Sequence, residues 1–160
     1  MKAATINELK QELLNEKQEK LVELCVRLAR FKKENKELLT YLLFEANDTS
    51  AYITSVKKEI DSQYETINKS NVYFIKKTLR KILRITNKYI RYSNMEIVET
   101  ETLIHFCQKL KETGSTILDN QVIANIYTAQ LKRITKAIGT MHEDLQYDYR
   151  KDLNQLSHSE

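Results

Sequence analysis

Eight basic residues, Lys69, Lys76, Lys77, Arg80, Lys81, Arg84, Lys88 and Arg91, fall in the stretch KSNVYFIKKTLRKILRITNKYIRY between Lys69 and Tyr92, and no acid interrupts them. Wound as a helix at about 100° per residue, they share an arc of roughly 140°. Val72, Phe74, Ile75, Leu79, Ile82, Leu83, Ile85, Tyr89, Ile90 and Tyr92 take most of the opposite half. The chemistry of such an arc is recognition of negative charge, because Lys and Arg spread along about 30 Å of helix can track phosphates or meet clustered carboxylates. Tyr73 lies inside the arc, with Phe74 and Tyr92 at its edge, so aromatic rings accompany the cations. The candidate contact residues are Lys76, Lys77, Arg80, Lys81, Arg84, Lys88, Arg91 and Tyr73. Lys77/Lys81, Arg80/Arg84 and Arg84/Lys88 are like charges four apart, each costing a helix a few tenths of a kcal/mol, so an anionic partner is expected to compensate. It is either external, an acidic protein surface or nucleic acid, or internal, drawn from Glu96, Glu99 and Glu101 just downstream. Taking these eight from the 26 basic residues leaves 18 against 22 acidic ones, a net −4 for the rest of the chain.

Other reactive side chains are sparse. Cys25 lies at helical spacing from Leu21 and Leu28, and Cys107 from Leu103 and Leu110, which reads as two reduced core thiols rather than a disulfide. His105, His142 and His158 show no metal-ligand spacing. Glu101 and His105 stand four apart and read as a surface pair rather than half of a metal site. A catalytic Ser, Lys or Tyr needs a neighbouring base and an oxyanion or phosphate cradle, and two glycines leave no Gly-rich loop to build one. Tyr52, Tyr64, Tyr89, Tyr127 and Tyr149 sit at core spacing, with the ring inside and the hydroxyl at the rim. From this set no enzyme activity, metal or cofactor is expected.

The elements that must position these side chains are helices. No Pro, only Gly114 and Gly139, and 30% charged residues in 160 leave the chain without the punctuation that strands and tight turns require. At 41% hydrophobic residues it can bury a core, unlike a disordered chain of equal charge. No apolar run approaches the eighteen or so residues of a membrane span. The start MKAATINELK has no apolar core of a secretory signal, so a cytoplasmic location is expected. The arc is also ill-suited to lie on a membrane surface, since its apolar half is needed by the core.

In chain order, Thr5-Ile6-Asn7-Glu8 forms a capping box, and Ile6, Leu9, Leu13 and Leu14 follow it at helical spacing. Glu19 to Phe31 repeats the pattern, and the polar run 32–37 predicts a bend before Leu38, Leu39, Leu42, Leu43 and Phe44. A break is expected at 15–19 or at 32–36. Asp48 or Thr49 caps the helix of Tyr52 to Ile67, and Ser70 is the expected N-cap of the basic helix, which Ser93-Asn94 ends. Glu96, Glu99 and Glu101 open the next helix, about 96–113, where acids suit its positive end. Gly114 stands at its C′ position. Residues 115–120 form a link, a helix follows to about Gly139, and the last runs about 141–156 with a frayed tail at 157–160.

The sum is an all-α chain of seven to eight antiparallel helices in an α-α superhelix or irregular bundle. It is a single domain, 1–160, whose helices within 5–32 either pack on the body or project from it. The basic helix is expected to be its centre, buried through Ile75, Leu79, Ile82, Ile85, Thr86 and Tyr89 against helices on both sides. Arg84-Ile85-Thr86 and Arg133-Ile134-Thr135 lie 49 residues apart, and Phe74/Ile123, Ile82/Leu131 and Tyr89/Ile138 match at that offset, which suggests stacked helix pairs. In this outline the chain loosely resembles HEAT and armadillo type α-α superhelices over about 33–157, without a family signature. The function expected is a non-catalytic interaction module contacting its partner through helix 69–92, with a nucleic-acid-binding helical repeat as the alternative.

Overall fold

Short polar side chains start four of the helices by local hydrogen bonding. In a computed structural model, which describes residues 2–114 and 116–157, the hydroxyl of Thr5 accepts from the Glu8 N–H while the Glu8 carboxylate accepts from the Thr5 N–H, the expected capping box. Asp48 accepts from the Ala51 N–H, and Asn120 from the Val122 and Ile123 N–H groups. The basic helix is capped by Asn71, whose side chain accepts from the Tyr73 N–H at 2.8 Å. The cap is thus one residue after the expected Ser70, whose own N–H is engaged by Asn68.

Among the described residues there are eight α-helices and no strand: α1 Ile6–Leu14, α2 Gln18–Phe31, α3 Lys33–Thr40, α4 Thr49–Glu65, α5 Val72–Ser93, α6 Glu96–Glu112, α7 Gln121–Gly139 and α8 Glu143–Ser157. A π-helical turn, Tyr41–Glu45, follows α3, and a 3-10 turn, Ile117–Asp119, precedes α7. The chain breaks both after α1 and at Lys32, whose extended backbone alone separates α2 from α3. The polar run from Lys33 onward is therefore helix rather than bend. Ser157 closes α8; the rest of the expected tail, with His158, lies outside the described residues.

The helices fall into two compact units, Met1–Phe44 and Glu45–Glu160. In the first, α2 packs on α3, and the Asn35 amide donates to the Leu28 carbonyl at 2.8 Å. No residue of α1, α2 or α3 is buried, and Leu14, Leu28 and Phe31 are well exposed. Cys25, expected in the core, is exposed as well. Its spacing marks an apolar face of α2, but nothing in the spacing specifies that the face is covered.

In the second unit α6 packs on α4, α5, α7 and α8, while α4 packs on α5 and α7 on α8. Val98, Thr100, Thr102, Leu103, Ile104, Phe106, Cys107 and Leu110 are buried around most of the circumference of α6, as a helix packed on by several others requires. The centre is therefore α6 rather than the basic helix. α5 does pack on helices to either side, α4 and α6, and buries Ile75, Leu79, Ile82, Thr86 and Ile90, with Ile85 and Tyr89 half-buried. The 49-residue echo has no counterpart in burial. Arg84 is exposed where Arg133 is half-buried, and Thr86 is buried where Thr135 is exposed.

Tyrosine hydroxyls stitch this unit together. Tyr52 donates to the Tyr89 carbonyl, Tyr64 to the Phe106 carbonyl and Tyr127 to the Leu156 carbonyl, all at 2.8–2.9 Å. Burial pushes the Tyr64 and Tyr127 hydroxyls well above their ordinary pKa, so they remain donors at any physiological pH.

Candidate anion-binding face

Amphipathic winding puts the cations of α5 outside, because Ile75, Leu79, Ile82, Thr86 and Ile90 recur every three or four residues and hold the opposite face in the core. Lys69, Lys77, Arg80, Lys81, Arg84 and Arg91 are exposed; Lys76 and Lys88 are half-buried. A concavity of about 900 Å³ is lined by Asn68, Tyr73, Phe74, Lys76, Lys77, Thr78, Arg80, Lys81 and Arg84. Six of the eight candidate residues therefore share one surface. Lys88 and Arg91 lie farther toward the C-terminal end of α5, and the Lys88 ammonium sits 5.1 Å from the Tyr89 ring centroid in a cation–π contact. Asn68 and Thr78 escape a reading by charge, although Thr78 stands one turn from Phe74 and Lys81 on the same face.

At the head of this surface are two rings. Tyr73 is 62% exposed and Phe74 44%, and the two meet edge to face with centroids 5.6 Å apart. Large rings facing water at the first turn of a helix are costly to leave uncovered, since each carries apolar area that a core would otherwise bury.

Of the three acids that could neutralise α5 internally, Glu99 and Glu101 are committed elsewhere. Glu99 accepts from Arg133 Nε at 3.0 Å and Nη2 at 2.6 Å, and Arg133 Nη1 also donates to Asn87 at 2.7 Å. Glu101 accepts from the Lys57 ammonium and from the Tyr149 hydroxyl. Burial pushes the Glu101 carboxyl up, but hydrogen bonds from Lys57 and Tyr149, with the nearby charges of Lys57 and His105, outweigh it and hold the group below the ordinary carboxylate range. Glu96 is exposed. Among the described residues none of Lys76, Lys77, Arg80, Lys81, Arg84 and Arg91 has a carboxylate partner.

Three further titratable groups, Asp61, His105 and Lys109, form a separate tie between α4 and α6. His105 Nε2 lies 2.7 Å from Asp61 Oδ1, and the Lys109 ammonium 3.7 Å from the same oxygen. His105 thus pairs across helices rather than with Glu101 on its own. Among the described residues no group of three or more His, Cys, Asp or Glu could hold a metal ion, and no helix is long and apolar enough to cross a membrane.

No family model, curated protein or solved structure matches this chain. The functional reading rests on the face itself.

Proposed function

We propose that this protein is a non-catalytic helical interaction module that meets an anionic partner, an acidic protein surface or nucleic acid, through the cationic face of α5. The observation that carries the reading is the row Lys77, Arg80, Lys81 and Arg84, exposed and without carboxylate partners among the described residues, while Glu99 and Glu101 are held by Arg133, Lys57 and Tyr149. Like charges four apart destabilise a helix, and an anion bound across them turns that repulsion into attraction.

One double substitution separates this reading from a merely solvated face. Lys77→Glu with Arg84→Glu converts Lys77/Lys81, Arg80/Arg84 and Arg84/Lys88 into opposite-charge pairs, two of them with Glu on the favourable N-terminal side. The variant is expected to melt a few degrees higher, gaining about 1–2 kcal/mol over three pairs, and to lose binding to oligonucleotides and polyglutamate at low salt. Destabilisation of the variant, or a wild type that ignores every polyanion at low salt, would overturn the proposal.

A further inference from the structure

We infer that the α5 face takes single-stranded nucleic acid, with phosphates along Lys76, Lys77, Arg80, Lys81 and Arg84 and unstacked bases against Tyr73 and Phe74; this rests on the anion-binding reading above. Cations alone would suit a duplex, a single strand or a carboxylate-rich protein equally. The rings separate them.

Tyr73 and Phe74 line the same concavity as the five cations, and both expose much of their surface. Their edge-to-face arrangement, 74° between planes, presents ring faces in two directions. A duplex keeps its bases stacked on one another and offers such rings only sugar and phosphate. An extended strand offers base faces, and stacking is tolerant of sequence because every base has one. Lys77 stands four residues beyond Tyr73, with Arg80 and Arg84 continuing the stripe, so a strand whose base lies on Tyr73 carries its next phosphates along successive turns. From Tyr73 to Arg84 the rise is about 16 Å, room for a few nucleotides. Polar Asn68 and Thr78 line the same surface and supply uncharged hydrogen-bonding groups for sugar or base edges.

The experiment uses the full chain and a labelled oligothymidylate, a duplex of equal length, polyglutamate and phosphatidylserine vesicles. Oligothymidylate is expected to bind best, at least tenfold tighter than duplex. Five phosphate contacts give a slope of about −3.5 in log K against log salt, or about 100-fold between 50 and 200 mM. Tyr73→Leu with Phe74→Leu should weaken oligothymidylate binding about 10- to 100-fold while leaving the salt slope and the circular dichroism unchanged, and Tyr73→Phe should bind as wild type does. Lys77→Glu with Arg84→Glu should instead lose oligothymidylate binding even at 50 mM salt. Equal binding of duplex, a preference for polyglutamate, or a ring variant that binds normally overturns the single-strand inference and leaves the anion-binding reading standing; a preference for vesicles overturns both. Absence of binding to all four probes overturns both.

Discussion

Single hydroxyls in this protein carry opposite signs of stability. Thr100 is fully buried in α6, and its Oγ1 has no hydrogen-bond partner among the described residues, so replacing it by an isosteric methyl removes a polar atom that receives nothing for its desolvation. Thr100→Val is expected to be neutral or stabilising, by up to about 1 kcal/mol, whereas Tyr127→Phe, which removes the hydroxyl donated to the buried Leu156 carbonyl, should cost about 1–3 kcal/mol. Urea unfolding of both variants checks the contrast, and equal shifts of the two midpoints would contradict it. Glu101 makes the pH dependence. Its folded pKa is depressed, so its contribution is present above the unfolded carboxylate value near about 4.3 and is lost as pH falls through the folded value. Glu101→Gln should therefore be less stable at pH 7 and lose less on acidification. Melting temperatures of the two proteins from pH 7 to 3 should converge, and parallel curves would remove Glu101 from the account.

Helix ends divide by backbone geometry rather than by residue type. α5 stops at Asn94, the left-handed residue at φ 51°, whose N–H returns to the Ile90 carbonyl at 2.9 Å. Gly114, one residue beyond the C-cap Thr113 of α6, has no positive φ and open space around the site of a Cβ. Asn94→Val is expected to cost about 1–2 kcal/mol, while Gly114→Ala should be neutral or stabilise by about 0.4–1 kcal/mol; a melt of each variant decides, and the reverse order would refute it. Local physics of this kind is what made the sequence readable. The caps at Thr5, Asp48 and Asn94 and the faces of α5 follow from residues within a turn or two of one another. The centre of the unit does not, because nothing local marks Thr100 and Thr102 for burial, and α6 becomes central only when helices from along the whole unit pack on it. The commitment of Glu99 to Arg133, 34 residues away, was equally illegible, and it removes one of the acids that could have compensated α5. Tyr73 and the cations from Lys76 to Arg84 were legible as candidates because charge and period mark them. Asn68 and Thr78 carry neither signal.

The whole molecule concentrates its apolar burial in the unit built around α6, so identical truncations should report their location. Leu103→Ala in α6 and Ile82→Ala in α5, both fully buried, are expected to cost about 2–5 kcal/mol. Leu14→Ala in the first unit, at an exposed position, should stay within about 0.5 kcal/mol. A shift of the unfolding midpoint by Leu14→Ala equal to that of Leu103→Ala would contradict this distribution. The same contrast gives the two thiols different fates. Cys107 is sealed in α6, and burial pushes its thiol up to about 12, so little thiolate exists there at neutral pH. Cys25 is open to solvent on α2. A maleimide dye should therefore couple once per native chain, at Cys25, and twice only in denaturant. The sequence thus already carries a single attachment point for a reporter dye on the N-terminal unit, one that sets no label on the unit built around α6 and requires no engineered residue.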